Sequence, residues 1–98
     1  MKVYMHVMKV RGEVLVAICD EDLLGKTLSE GNIRLRVDEK FYGGKLIPVE
    51  ECKEAIDNST ITNIIGRRIV DFAISNGMVH KSCLLWVCGV PHAQIIKV

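Results

Sequence analysis

The sequence has no long apolar run and almost no net charge. No segment of its 98 residues approaches the roughly 20 apolar residues that cross a bilayer. The first ten residues, MKVYMHVMKV, alternate apolar and polar side chains and so lack the apolar block of a signal peptide. A formal net charge of +1 gives no overall attraction to nucleic acid, membranes or acidic partners. We therefore expect a cytoplasmic protein that does not associate with a membrane.

The cysteine pattern of a zinc site is also missing. Cys19, Cys52, Cys83 and Cys88 are separated by 33, 31 and 5 positions, so no CxxC pair occurs. Each cysteine has apolar neighbours, which favours a small buried side chain over a metal ligand. Free thiols are typical of a reducing intracellular compartment. We predict no metal site.

Common catalytic and cofactor motifs are absent as well. Gly43-Gly44 does not belong to a Walker loop or a dinucleotide fingerprint. The acidic run 20–22 lacks the alternating ligands and the glycine of a calcium loop, and we interpret it as the solvated first turn of a short helix. There is no triad, metal cluster or pair of carboxylates. We predict no cofactor, and the sequence leaves open whether the protein is an enzyme.

The strongest helical pattern lies between Ser59 and Gly77. Its apolar residues recur at the spacing of one helix face, with Ser59 as the N-cap and Gly77 closing the other end. Gly66 lies inside this pattern. Glycine disfavours helix, so we expect a close contact with another group that leaves no room for a side chain at this position. We expect Phe72 to be fully buried, and Trp86, which lies among apolar neighbours, to belong to the core as well. The apolar face consists of Ile61, Ile64, Ile65, Ile69, Phe72 and Ala73.

Strand patterns occupy most of the remaining sequence. We predict a hairpin about Arg11-Gly12 and a C-terminal hairpin with Pro91 and His92 in its turn. A further helix over 48–57 begins at Pro48. The predicted strands are 2–10, 13–19, 32–38, 82–88 and 93–98. The fold class is therefore α+β: one domain over residues 1–98, a two-layer sandwich with a mainly antiparallel sheet of about five strands and helices 48–57 and 60–76 on one face.

Two arginines on the strand 32–38 form the first candidate binding surface. Ile33, Leu35 and Val37 alternate with Arg34 and Arg36, so both arginines point to one face. This face is either half of a phosphate- or carboxylate-binding surface or an ordinary solvent face balanced by the nearby acidic residues 38 and 39.

The segment FYGGK follows the arginine strand and adds to this surface. Gly43 and Gly44 leave the backbone open to close approach by another molecule. The ring of Tyr42 could stack on a base beside the cations of Lys40 and Lys45. Most turns of this kind only pack an aromatic ring over the edge of a core, and we favour that structural interpretation of Tyr42 taken by itself.

A second candidate site combines polar residues from different parts of the chain. His92 lies in a predicted turn, where a histidine can bind a ligand or transfer a proton. Asn63 and Gln94 offer amides that can bind a polar group. We expect Tyr42 and His92 to lie on one side of the domain and to border a concave surface with Asn63. The alternative is that the turn at FYGG and the turn that contains His92 cap different ends of the sheet.

Four segments carry a resemblance to a known family. GEVLVAICDEDLLGK, FYGG, TNIIGRR and GVPHAQ together resemble the family called domain of unknown function 424, and the resemblance runs over nearly the whole chain. Its members are small, mainly archaeal proteins. The resemblance implies an archaeal cytoplasm and a role near translation or RNA, and it implies no reaction or established site.

Three functions are consistent with these patterns. The first is a non-enzymatic module that binds RNA or a ribonucleoprotein surface, with phosphate on Arg34, Arg36, Lys40 and Lys45 and a base on Tyr42. The second is a small-ligand-binding protein or small enzyme with a polar site at Tyr42, Asn63, His92 and Gln94. The third is an interaction subunit whose edge strand forms a homodimer.

Overall fold

The chain begins with the hairpin that its sequence predicts. In the computed structural model, which describes residues 1–97, β1 (Lys2–Val10) pairs antiparallel with β2 (Glu13–Asp20). Arg11 and Gly12 both have positive φ angles, 50° and 83°, as a two-residue type I′ turn requires. Residues 16–20 of β2 are all buried, because this apolar strand lies in the middle of the sheet.

The main sheet has six strands, and its α+β class agrees with the prediction. Its strand order is β5-β1-β2-β6-β8-β7, and β2 and β6 form the one parallel pair. A separate two-stranded sheet joins β3 and β4. The remaining elements are β3 (Thr27–Glu30), β4 (Ile33–Arg36), α1 (Glu39–Tyr42), β5 (Lys45–Pro48), α2 (Cys52–Asp57), β6 (Ile61–Ile65), α3 (Arg67–Ser75), β7 (Leu85–Val87) and β8 (Val90–Ile96), with 3₁₀ turns at Glu21–Leu23, Val49–Glu51 and Lys81–Cys83.

The predicted helix 60–76 is wrong in its first half. Residues 61–65 form β6, and only the second half is helical. The run Ile-Thr-Asn-Ile-Ile is rich in β-branched residues, and it is apolar at both alternating positions because β6 is covered on both faces. Gly66 separates the two elements with φ 119°, a conformation that favours glycine. The close contact expected for Gly66 exists, but at a strand–helix junction.

Two further details of that segment differ from the prediction. Ser59 does not begin a helix: its buried hydroxyl donates to the Ile56 carbonyl at 2.7 Å and shares a 2.6 Å hydrogen bond with Thr62. Phe72 is only partly buried, because it lies at the margin of the face that α3 turns towards the sheet. The buried residues of α3 are Ile69, Val70 and Ala73.

Both faces of the main sheet are covered, at least in part. The helices α2 and α3 pack on one face, as predicted, around the buried side chains of Val16, Ile18 and Ile64. The chain between β2 and β5 covers part of the other face, around Ala17 and Cys19. The predicted two-layer sandwich therefore has an additional, partial third layer. Among residues 1–97, no helix is long and apolar enough to span a membrane.

The helix 48–57 and the C-terminal hairpin need smaller corrections. Pro48 ends β5, and the helical region consists of a 3₁₀ turn followed by α2. The C-terminal turn contains only Cys88 and Gly89, with φ 52° and 72°, so Pro91 and His92 belong to β8. Proline has no N–H group, and it is tolerated at position 91 because β6 ends before it reaches this residue. The Pro91 carbonyl accepts the Gly66 N–H at 2.9 Å. The last residue of the predicted strand 93–98 lies outside the described residues.

Candidate functional site

Arg34 and Arg36 lie on the outer side of the small sheet. In the β3–β4 register, Leu28 faces Leu35, and both pack towards the core. Side chains alternate along a strand, so Arg34 and Arg36 point away from the core, and both are exposed. The two guanidinium groups therefore face solvent on the layer that covers the main sheet.

The acidic residues 38 and 39, next to the arginines in sequence, form no ion pair with them among the described residues. The Asp38 carboxylate instead accepts the Lys40 backbone N–H at 2.8 Å and caps α1. Arg36 donates through Nη1 to the Gly25 carbonyl at 3.4 Å and to Thr27 Oγ1 at 3.3 Å. Over residues 1–97, the one ion pair joins Lys53 and Asp57. No described carboxylate thus lies at ion-pair distance from Arg34 or Arg36.

Tyr42 is packed in the core, so of the two interpretations of its ring the structural one holds and base stacking is wrong. It is 6% exposed, and its ring meets that of Phe41 edge to face at 5.0 Å between centroids. Burial raises the pKa of the Tyr42 phenol to about 12. The ring belongs to the cluster on the partly covered face of the sheet, together with Cys19 and Ile65.

The two glycines of FYGG have structural roles. A Cβ on Gly43 would overlap the Glu39 carbonyl, and a Cβ on Gly44 would overlap the Met5 carbonyl on β1. His6 Nδ1 forms a 3.0 Å hydrogen bond with the Phe41 carbonyl nearby. Gly43 therefore allows the chain to turn at the end of α1, and Gly44 allows it to approach β1; these two contacts account for the motif.

Lys40 and Lys45 are exposed, but Lys45 lies apart from the arginines. Lys40 is in α1, four residues after β4 ends. Lys45 begins β5, at the edge of the main sheet opposite to β7, the strand that β3 contacts. Five strand spacings separate these two edges by about 24 Å. Lys45 is therefore not grouped with Arg34 and Arg36.

The residues of the second candidate site share one sheet face. Asn63 pairs with Gln94 in the β6–β8 register, and Gln94 Nε2 donates to Asn63 Oδ1 at 3.1 Å. His92 pairs with Ile65, two residues further along the strand, and is half-buried on β8. Burial lowers the pKa of His92. Tyr42 packs over this same face but inside the core, so the structure brings the four residues to one side without exposing the phenol.

The acidic run 20–22 is divided between two roles: Glu21 and Asp22 are exposed in the first turn of the 3₁₀ helix, as predicted, whereas Asp20, the last residue of β2, caps α3. Asp20 is buried, and its carboxylate accepts the backbone N–H groups of Arg68 at 2.9 Å and Ile69 at 3.0 Å. Burial raises the pKa of Asp20, while these two N–H groups and the Arg68 guanidinium oppose that shift. The N-terminus of α3 therefore already holds an anion from its own chain. Within residues 1–97, no cluster of three or more potential ligands could hold a metal ion.

Trp86 and Arg67 form an exposed pair that the sequence did not indicate. Trp86 is 51% exposed, so its expected core position is wrong, and the Arg67 guanidinium lies 5.7 Å from the ring centroid. The run Leu-Leu-Trp-Val resembles a core strand, but β7 is the outermost described strand of the main sheet. Arg67 is a helix residue whose partner lies 19 positions later, and no local pattern identifies such a pair.

A series of contacts connects this pair to the arginine strand. Arg67 donates through Nη2 to the Gly89 carbonyl at 3.0 Å. The adjacent Cys88 donates its S–H to the Ser29 carbonyl at 2.6 Å, and Ser29 is the cross-strand partner of Arg34. We call Arg34, Arg36, Arg67 and Trp86 together the arginine–tryptophan edge.

The comparisons with known proteins give a family and a fold. No curated protein matches the chain. A similar solved structure is described as "Crystal structure of an uncharacterized conserved protein from Methanopyrus kandleri". It has 24% sequence identity and a TM-score of 0.80, and the match covers 100% of this chain and 96% of that chain. The family model described as "Protein of unknown function (DUF424)" matches residues 8–98, so the chain belongs to the DUF424 family.

Proposed function

We propose that this protein is a non-enzymatic module that binds RNA, alone or on the surface of a ribonucleoprotein. The observation that carries the proposal is the pair Arg34 and Arg36, exposed on one face of β4 with no described carboxylate at ion-pair distance. Guanidinium groups bind phosphate through two parallel hydrogen bonds. Two of them on one strand face, about 7 Å apart along the strand, suit a ligand that carries several phosphates.

The net charge of the whole protein does not favour nucleic acid, whereas the local charge around Arg34 and Arg36 does. A net charge of +1 does not attract nucleic acid to the molecule as a whole. The attraction must therefore be local, and it comes first from Arg34 and Arg36. Arg67 lies on the other face of the main sheet, where it borders a cavity with Asp20, Glu21, Asp22 and Asp71, so its charge is partly balanced. Lys40, in the helix directly after β4, can extend this positive surface.

The polar site of the second candidate function has less support. The Asn63 carbonyl oxygen is already bonded to Gln94, and the Tyr42 phenol is buried. These groups hold the sheet and the layer above it together. Only His92 remains as a half-buried titratable group, and a single imidazole does not define a reaction.

The experiment is an RNA-binding titration of the double variant Arg34→Gln/Arg36→Gln. Affinity for labelled single-stranded and structured RNAs is measured by fluorescence anisotropy at salt concentrations from about 50 to 200 mM, the range over which phosphate contacts weaken most visibly. Each phosphate contact on a single strand contributes about 0.7 to the slope of log affinity against log salt. We expect the double variant to bind more weakly and to lose about 1.4 from this slope, without a loss of stability.

The matched control is Lys9→Gln/Arg11→Gln. It makes the same change in charge at exposed positions around the β1–β2 turn, at the opposite end of the sheet from the Cys88-Gly89 turn. The control should bind like the wild type. Absence of binding to every RNA at low salt, or equal losses in both double variants, would overturn the proposal.

A further inference from the structure

We infer that Trp86 is a base-stacking platform and that the RNA bound at the arginine–tryptophan edge is single-stranded. This inference rests on the proposed function, because it assigns the bases of the ligand whose phosphates meet Arg34 and Arg36. It adds a second contact of different chemistry: the bases pack on a flat apolar ring, whereas the phosphates bind cations.

The exposure of Trp86 is the first argument. A tryptophan is among the largest apolar side chains, and leaving half of it in water is unfavourable unless a partner covers it. Its cross-strand neighbour Pro91 is fully buried, so the packed layer ends beneath Trp86. Trp86 projects from the face of the main sheet that α2 and α3 cover, but β7 is the outermost strand within residues 1–97, and the helices leave the indole 51% exposed there.

The orientation of the ring is the second argument. Arg67 is fixed by its bond to the Gly89 carbonyl, and its guanidinium lies over the ring at cation–π distance. This contact restrains the indole, so less side-chain freedom is lost when a base stacks on its open part. Sites that bind single strands combine aromatic rings of this kind with neighbouring cations.

The position of the small sheet is the third argument. The bond between Cys88 and Ser29 holds β3 against the turn that follows β7. The nearby Glu30 carboxylate accepts the Cys88 backbone N–H at 2.6 Å, so its charge is engaged within the same junction. Trp86 pairs with Pro91 and so lies on the face of the main sheet that α2 and α3 cover, whereas Arg34 lies on the small sheet over the opposite face. A chain with its phosphates on Arg34 therefore reaches the ring only by passing around the free edge of β7, which requires a flexible strand. The bases of a duplex are stacked on one another and cannot reach the ring, whereas those of a single strand can.

The experiment uses the fluorescence of Trp86, which is the only tryptophan in the chain. The full-length protein is titrated with a uridine decamer, an adenosine decamer, an RNA hairpin and an abasic ribose-phosphate decamer. We expect the two single strands to quench the emission at the same concentration at which they bind. The abasic strand should leave the emission unchanged, because it carries phosphates but no base.

Variants separate stacking from phosphate binding. Base–aromatic stacking contributes about 1–3 kcal/mol per base, so Trp86→Leu should weaken single-strand binding by roughly 5- to 140-fold. Its salt slope should stay that of the wild type, and Trp86→Phe should recover much of the affinity. Ile96→Ala, at an exposed apolar residue at the opposite end of β8 from the Cys88-Gly89 turn, is the matched control and should bind normally.

The outcomes distinguish the two proposals. If RNA binds with a salt-dependent affinity while Trp86→Leu binds like the wild type, or while saturation leaves the emission unchanged, the stacking inference is overturned and the proposed function stands. If the hairpin binds and quenches as well as the single strands, the single-strand assignment is wrong. If no RNA binds, both proposals fall together.

Discussion

The ionisation of His92 depends on its position in the sheet. In β8 it is half-buried, and this desolvation lowers its pKa below the ordinary value of 6.5. The neutral imidazole of the folded state therefore binds a proton less readily than the imidazole of the unfolded chain. The stabilising effect of this difference is fully present above pH 6.5 and is lost as the pH falls through the folded-state pKa.

We expect the free energy of unfolding to decrease as the pH falls from about 7.5 to about 5, and to decrease less in His92→Gln. The variant cannot gain a proton at this position, so the difference between the two curves isolates His92 from His6 and His80. Urea unfolding at a series of pH values measures both curves. Parallel curves, or a steeper decrease in the variant, would contradict a lowered pKa.

At the residue scale, the sequence predicts which side of a strand a residue points to better than it predicts whether the residue is exposed. The alternation around Arg34 and Arg36 correctly indicates that both point to one side. For Trp86 the sequence predicts the wrong exposure, because its apolar neighbours indicate a core strand; for Tyr42 it leaves base stacking and core packing open, and the ring is packed in the core. Tyr42 belongs to a helix that packs over the sheet, and Trp86 lies on its outermost strand.

At the element scale, the junction between β6 and α3 determines how residues 59–77 fold. Gly66 has φ 119°, and a Cβ there would overlap the Asp20 carboxylate that caps α3. Gly66 N–H also donates to Pro91, which connects the junction to β8. One residue therefore holds together a central strand, a helix and the start of the C-terminal strand.

Gly66→Ala should destabilise the protein by more than the cost of the backbone conformation alone. That cost is about 1–3 kcal/mol, and the displacement of Asp20 adds to it by weakening the helix cap, which contributes about 1 kcal/mol. Gly77→Ala is the control, because Gly77 also has a positive φ, 68°, but a Cβ there would meet no atom within 4 Å. The free energies of unfolding in urea check the comparison. Equal losses in the two variants would mean that the contact with Asp20 does not matter.

The elements themselves are predictable to different degrees. The β1–β2 hairpin has an unambiguous turn and two clear strands, and its prediction is confirmed. The segment 61–65 fits helical spacing and a fully covered strand equally well, since apolar residues occur at both alternating positions. Its pairing with β2 and β8, from distant parts of the chain, decides in favour of the strand.

At the scale of the whole molecule, the two candidate sites occupy different places. The arginine–tryptophan edge lies on the small sheet, the start of α3 and the outer strand β7. Asn63, His92 and Gln94 lie on β6 and β8, inside the main sheet. The α+β class is predictable from composition and alternation, whereas this separation is not, because it depends on how β3 and β4 fold back over the sheet.

The most direct test is a chemical-shift titration of the ¹⁵N-labelled protein with the uridine decamer at low salt. We expect the largest changes at the amides of residues 29, 34, 36 and 67 and at the indole N–H of Trp86, with the signals of Asn63, Gln94 and His92 unchanged. Changes centred on Asn63, Gln94 and His92, or no changes at saturating RNA, would contradict an RNA-binding surface at the arginine–tryptophan edge.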